Sequence, residues 1–363
     1  MMRSTPTFLT LTLLAATAGP GCDFHDHGDD GPGTLQPMAL CASGAGTFEE
    51  VWEVDNGHGA VGALALAPSG DVALAGEDGS VKIWTIDRAG ADPNGVALAP
   101  GGVSAAYGQQ FGSGAVVGAL WIAPAGDTLV AGDASGLVAW LAPDGGVLGS
   151  TVPGTDPVAA VAMTDDLALV ASADVSFGGN LRLWQPGGAL GDPLPTALWA
   201  VDAVAFLPGT HALVAAGDIY GVVAAELRDA ADPAAPPQLW QGDADASIRA
   251  LAAAPDGARI VAAGGSGPGG DGVLAFLDPA AFDAPAPPTC ALPGHDPVGV
   301  ALLPGGLVLT AGSEGTLRVW SDQGAPLLSA DVPAPAGVAV DPTGTLVTLS
   351  GADGVLRLYA CVE

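Results

Sequence analysis

The chain repeats one pattern of three apolar segments seven times between residue 58 and the C-terminus. In most copies the first segment ends at a Pro and a Gly or Ser turn, the second at an acidic turn, and the third on an aromatic residue. The first copy occupies residues 62–87 and the sixth residues 298–322. Because one copy cannot bury its own apolar face, the copies must stack against one another. The repeat therefore constrains the architecture more than it constrains the function.

Two landmarks give the register of the copies. The first is the Pro of the first turn, at Pro68, Pro124, Pro208, Pro255, Pro304 and Pro342. The second is the closing aromatic, at Trp84, Trp140, Trp184, Phe276, Trp320 and Tyr359. The steps between successive aromatics are 56, 44, 92 over two copies, 44 and 39 residues. A four-stranded propeller blade takes roughly 40–45 residues, so we expect inserted loops at about 88–113 and 266–288. The third copy lacks the Pro, and the fourth, at 221–229, lacks the aromatic.

The apolar segments predict strands, because they are short, rich in Val, Leu and Ala, and bounded by Gly, Pro and Asp. The last copy ends on its third strand, within 355–363, whereas residues 47–55 form a spare strand before the first copy. We therefore predict an all-β fold, a seven-bladed β-propeller of four-stranded blades, closed by an N-terminal strand that completes the last blade. A disulfide between Cys41 and Cys361 would lock this seam; the alternative is two unpaired thiols near it.

Two copies carry a His, a turn acid and a closing aromatic in the same order, at His58, Asp78, Trp84 and at His295, Glu314, Trp320. With these motifs, residues 47–363 resemble the WD-repeat β-propeller family. In that family the His, the acid and the aromatic form a hydrogen-bonded network inside each blade, so the resemblance implies a structural role for all six. It also implies a scaffold for macromolecular partners, and rarely catalysis.

The charge balance excludes several partners. Nine Lys and Arg stand against 39 Asp and Glu, for a formal net charge of −30. Nucleic acid binding needs clustered basic residues, and an anionic membrane repels an acidic surface. We expect no nucleic acid partner, and membrane contact only through a lipid anchor.

The N-terminus predicts export, with residues 1–21 as a signal peptide, 22–45 as an acidic Gly/Pro-rich tether and 46–363 as the propeller. The apolar segment 8–18 is too short to span a bilayer. Two processing routes stay open: lipidation of Cys22, as in a bacterial lipoprotein, or ordinary cleavage after Ala18. We therefore expect a membrane-anchored lipoprotein of the periplasm or cell surface, or otherwise a secreted protein, in a compartment that permits disulfides.

No residue grouping predicts catalysis, a cofactor or a metal site. The cluster of His and Asp at 25–30 lies on the tether, which offers no fixed geometry for a metal. The first strands of the copies are almost entirely aliphatic, with Asp202 and Arg249 as the main polar exceptions. We expect a non-catalytic scaffold. The alternatives are an extracytoplasmic propeller hydrolase, lactonase-like or sugar-processing, and a purely structural envelope protein.

Four aromatics of copies two to four are candidates for binding a protein or peptide partner: Phe111, Phe177, Trp199 and Tyr220. In a propeller the loops that carry them share one face, and aromatic residues are frequent in interface hot spots. The alternative is that these rings fill gaps between blades. Four neighbouring acids favour a basic partner: Asp174, Asp218, Asp243 and Asp245. We expect the chain to be a monomer.

Overall fold

The computed structural model describes residues 35–55, 59–88, 96–104, 117–123, 126–142, 146–152, 156–175, 181–185, 192–267, 270–283 and 289–362. This part begins with strand β1 (Leu35–Gln36), helix α1 (Met38–Ala42) and strand β2 (Thr47–Asp55). Two single turns of 3₁₀ helix, Pro279–Ala281 and Pro304–Gly306, lie between later strands. All other regular elements of the described residues are strands.

The first four blades follow in chain order. Blade 1 contains β3 (Val61–Leu66), β4 (Asp71–Gly76), β5 (Val81–Asp87) and β6 (Ala97–Ser104). Blade 2 contains β7 (Val117–Ile122), β8 (Leu129–Asp133), β9 (Val138–Leu141) and β10 (Val147–Thr151). Blade 3 contains β11 (Val158–Met163), β12 (Val170–Asp174), β13 (Leu181–Trp184) and β14 (Pro193–Leu194). Blade 4 contains β15 (Ala200–Phe206), β16 (Ala212–Ile219), β17 (Val222–Asp229) and β18 (Gln238–Asp245).

The remaining three blades complete the ring. Blade 5 contains β19 (Ser247–Ala253), β20 (Ile260–Gly265), β21 (Gly272–Leu277) and β22 (Thr289–Leu292). Blade 6 contains β23 (Pro297–Leu302), β24 (Val308–Gly312), β25 (Thr316–Trp320) and β26 (Pro326–Asp331). Blade 7 contains β27 (Pro335–Val340), β28 (Leu346–Gly351) and β29 (Val355–Val362), and β2 pairs with β29 as its outer strand.

The seven sheets form a closed ring. Each is antiparallel, and the first strand of every blade contacts the first strand of the next, from β3 round to β27. Strand β27 in turn contacts β3. This architecture confirms the predicted seven-bladed propeller of four-stranded blades.

The hydrophobic core is divided among the spaces between blades. Seven clusters of buried side chains are present, and each draws its members from two neighbouring blades. The second strand of a blade faces such a cluster on both sides, so that β20 and β28 are buried along their whole length. Continuous apolar runs such as Ile260–Gly265 are explained by this two-sided burial.

The seam of the ring lies in blade 7. Strand β2 runs antiparallel to β29, from Thr47 opposite Val362 to Asp55 opposite Val355. A disulfide joins Cys41 to Cys361 across 320 residues of chain. The two ends of the propeller are thus held both by strand pairing and by a covalent bond.

The segment predicted as a tether differs from the expectation at its C-terminal end. Strand β1 pairs with β29, and α1 buries Met38 and Cys41 against blades 6 and 7. The backbone N–H of Met38 also donates to the carbonyl of Gly344 at 2.8 Å. Residues 35–45 therefore pack on the propeller, because this short segment has its own apolar side chains to bury.

Candidate partner-binding face

One face of the ring concentrates exposed apolar side chains. We call it the upper face; it holds the loops from each outer strand to the next blade and those between second and third strands. Seven large apolar side chains are exposed in the described residues, and four of them lie on this face of blades 2–4. They are Val152 (58% exposed), Val175 (52%), Trp199 (39%) and Tyr220 (77%), and we call them the apolar arc. Contiguous exposed apolar surface is typical of interaction sites.

Trp199 and Tyr220 form the centre of the best-defined part of the arc. Their ring centroids are 4.7 Å apart and their planes are tilted by 43°. The backbone N–H of Trp199 donates to the carbonyl of Asp218 at 2.8 Å. Tyr220 has φ of +53°, a left-handed conformation that is uncommon outside glycine. The tight turn between β16 and β17 therefore presents the phenol to solvent beside the indole.

A buried ion pair holds the loop that carries Trp199. Glu226 and Arg228 lie on β17, are both buried, and pair at 2.7 Å. Glu226 Oε1 accepts the backbone N–H of Ala197 at 2.6 Å, and Arg228 Nη2 donates to the carbonyl of Pro195. Two backbone groups immediately before Trp199 are thus fixed by blade 4. This strand belongs to the copy that lacks the closing aromatic.

Carboxylates border the aromatic pair. Asp218 lies two residues before Tyr220, and its Oδ1 accepts the backbone N–H of Gly221 at 2.7 Å. Asp245 lies opposite Val222 on the neighbouring strand, so it flanks the same turn. Asp243 and Asp245 are both exposed, whereas Asp174 is buried and adds little to the surface. The arc is thus acidic on its blade 4 side.

The central channel opens on the upper face within a ring of β-bulges. Each inner strand has its register shift at the same place, which leaves one extra residue per blade. Such a bulge redirects a side chain at the rim of a closed sheet. The seven extra residues, which we call the channel mouth, are Gly62, Gly118, Ala159, Asp202, Arg249, Val298 and Ala336.

The two charged residues of the channel mouth are adjacent and already bonded. Ser247 Oγ donates to Asp202, and Arg249 Nη1 lies 2.9 Å from Asp296 Oδ1. Burial raises the pKa of Asp202, and the nearby carboxylate of Asp218 raises it further, against the lowering effect of the Ser247 hydrogen bond. Since Asp296 neutralises Arg249, the excess charge at this side of the mouth is negative.

The residues with a predicted structural role are clearest in blade 6. His295 Nδ1 bonds Glu314, and its Nε2 lies 2.7 Å from Thr310 Oγ1. Trp320 Nε1 donates to the same Thr310 oxygen at 2.8 Å. Burial lowers the pKa of His295, which favours the neutral imidazole despite the adjacent carboxylate.

Blade 1 has only part of this network within the described residues, and His58 lies outside them. Asp78 accepts the backbone N–H of Ser80 at 2.9 Å, which fixes the turn. Trp84 Nε1 is buried without a hydrogen-bond partner among the described residues. The register places Leu74 where blade 6 has Thr310, so no acceptor is available at that position.

The comparison with known protein families matches the copies that contain Trp84 and Trp320. The family model "WD domain, G-beta repeat" matches residues 49–85 and 287–321, each running from an outer strand to the third strand of the next blade. The solved structures that match include the WD40 β-propeller domain of Doa1, at 16% identity and a TM-score of 0.66. The match covers 86% of this chain and 97% of that domain. The chain carries two segments that match the WD repeat, within a seven-bladed β-propeller. No curated protein matches its sequence.

Several predicted sites of the propeller lie outside the described residues. Phe111, Phe177 and Cys22 are among them, so the structure places only Trp199 and Tyr220 of the four candidate aromatics. In the described part of the chain, no group of three potential metal ligands occurs. No helix there is long and apolar enough to cross a membrane.

Sequence reasoning missed two members of the apolar arc and the ion pair behind it. Val152 and Val175 each directly follow the last residue of a strand, and an aliphatic residue at that place is a usable signal for an exposed rim. Glu226 and Arg228 stand two apart on a strand, which puts them on one face. On the opposite face of the ring, which we call the lower face, His211 Nε2 lies 3.1 Å from Asp166. A hydrogen bond from Thr164 and that contact lower the pKa of Asp166 to about 2.

Proposed function

We propose that this WD-repeat propeller is a non-catalytic scaffold that binds a protein partner through the apolar arc. Propellers of this kind typically act as protein-interaction scaffolds. The observation that carries the proposal is the position of the exposed apolar side chains, since four of the seven among the described residues lie on the upper face of blades 2–4. The rigid ring would fix the four side chains before the partner arrives, which lowers the entropic cost of binding.

The aromatic pair is the expected energetic centre of the interface. Trp and Tyr dominate interface hot spots because they bury large areas with few rotatable bonds. The indole and phenol of Trp199 and Tyr220 already contact each other, and the buried Glu226–Arg228 pair holds the loop beneath them. Val152 and Val175 would extend the contact toward blade 2.

A capture experiment with matched surface variants tests the proposal. The full chain is used as bait for an envelope extract, beside an arc variant (Val152→Ser, Val175→Ser, Trp199→Ala, Tyr220→Ala). The control variant (Leu148→Ser, Leu239→Ser) removes exposed apolar side chains from outer strands instead. We expect one protein that binds the chain and the control, and that binds the folded arc variant at least about tenfold more weakly when purified. Equal binding to all three would contradict the proposal.

We propose further that the chain is exported and anchored through lipidated Cys22. The support is the basic and apolar N-terminal segment followed by a Cys among small residues, together with a disulfide that suits an oxidising compartment. Mass spectrometry of the mature N-terminus distinguishes a lipid-modified Cys22 from cleavage after Ala18. Cys22→Ala should release the protein from the membrane fraction if the anchor is correct.

A further inference from the structure

The blade 4 end of the apolar arc has two carboxylates, of Asp218 and Asp245, that form no salt bridge with the described residues. Among the described residues, no Lys, Arg or His lies within salt-bridge distance of Asp218 or Asp245. Asp202, at the channel mouth, interacts electrostatically with Asp218 and has a Ser247 hydroxyl as its bonded neighbour. Arg249 also interacts electrostatically with Asp202, but its guanidinium is paired with Asp296.

The two exposed rings share a loop region with these carboxylates. The backbone N–H of Trp199 donates to the backbone carbonyl of Asp218, and Tyr220 lies on the turn that Asp218 and Asp245 flank. A pair of tilted, solvent-facing rings offers π faces that attract a cation, and this attraction adds to that of neighbouring carboxylates. An apolar side chain could use the rings, but it would bring no positive charge to the carboxylates.

Charge is distributed unevenly around the channel mouth and is concentrated at blades 4 and 5. Five of its seven positions are Gly, Ala or Val, and the two charged positions are next to each other on blades 4 and 5. A side chain that reaches over the rim at blade 4 would therefore meet Asp202, while the other sides of the mouth offer no charge to select it.

We infer that the partner presents a lysine or arginine side chain to the upper face at blade 4, between the Trp199–Tyr220 rings and the carboxylates of Asp218, Asp245 and Asp202. This inference rests on the proposed function, because it names the chemistry of the partner at the same site. The apolar arc supplies contact area, and the carboxylates select for the cation. The attraction is partly exposed to solvent, so salt weakens it over a screening length of about 8 Å at physiological ionic strength.

A peptide library tests the inference without knowledge of the natural partner. Phage-displayed random peptides are selected against the full chain at low salt, and peptides that do not bind the Trp199→Ala/Tyr220→Ala variant are kept. Each Lys or Arg of a kept peptide is then replaced by Gln, and affinities are measured by fluorescence polarisation. We expect one replacement to weaken binding about tenfold. In an Asp218→Asn/Asp245→Asn variant, the same replacement should make little difference.

A matched control and the contrary outcomes are defined by the same experiment. Asp232→Asn removes an exposed carboxylate from the lower face of blade 4 and should leave the replacement effect unchanged. Peptides that need Trp199 and Tyr220 but tolerate loss of every cation would overturn the inference and leave the proposed function standing. Selection that yields no peptide dependent on the two rings would overturn both.

Discussion

The indole of Trp320 donates a 2.8 Å hydrogen bond to the hydroxyl of Thr310, and the same oxygen lies 2.7 Å from His295 Nε2. One buried hydroxyl thus satisfies two rings in blade 6. We expect Thr310→Val, which keeps the shape and removes the oxygen, to lower the free energy of unfolding by about 1–3 kcal/mol. Urea unfolding measures this change. Thr151→Val on outer strand β10 is the control and should have little effect; equal losses for both would contradict the role of Thr310.

The disulfide at the seam should contribute measurably to stability. A bond that closes so long a loop restricts the unfolded chain, and removing a native disulfide costs about 2–5 kcal/mol. We expect Cys41→Ala/Cys361→Ala to lower the urea midpoint, and reduction of the unmodified chain to lower it similarly. Cys290 has no disulfide partner in the described residues, so Cys290→Ala should leave the midpoint unchanged. A double variant as stable as the parent would show that strand pairing alone holds the seam.

Asp202 should make the fold less stable at neutral pH than a neutral side chain of the same shape. Burial raises the pKa of Asp202, so the folded state disfavours its ionised form. The stability associated with the neutral acid is present below the unfolded pKa and is lost as the pH rises through the higher folded pKa. We expect Asp202→Asn to melt at a higher temperature at pH 7 and at an equal temperature near pH 3. Asp243→Asn, at an exposed site, is the control. A gain that persists at pH 3 would point to another cause.

The buried pair beneath Trp199 should affect stability and binding separately. Glu226→Leu leaves Arg228 buried without its carboxylate, so we expect a loss of about 3–5 kcal/mol. Glu226→Leu/Arg228→Met should recover most of that loss. The double variant still lacks the bonds to Ala197 and Pro195, so its affinity for the partner should stay reduced. Calorimetric melting and titration of the partner measure the two effects. Full recovery of both would show that the pair does not position the Trp199 loop.

The repeat pattern predicted the ring because every blade has the same order of apolar strands and turns at a similar spacing. Residues 47–55 and 355–363 were correctly read as partners, since an incomplete last blade and a spare strand require each other. The packing of residues 35–45 was not predicted, because a Pro- and Gly-rich segment gives little sign that Met38 will find a site against the last blades. That site is formed by side chains of blades 6 and 7, which are far from Met38 in the sequence.

The candidate site was predictable where it depended on topology alone. Trp199 and Tyr220 were assigned to one face from the order of the strands, and the structure places their rings in contact. The pair Glu226 and Arg228 could not be anticipated as a support for that loop, because its partners are backbone groups of the preceding blade. The seven bulges could not be predicted from the local sequence, because the extra position is occupied by Gly, Ala, Val, Asp or Arg in different blades.

The bond between Cys41 and Cys361 also determines how the protein responds to mechanical force. A pull applied at Leu35 first loads the pairing of β1 with β29 and the packed helix α1, and then passes from Cys41 through sulfur into β29 before it can load β2. The outer strand β2 is therefore shielded from being peeled away. Under tension from its N-terminal side, the propeller keeps its seam strand until the disulfide is reduced.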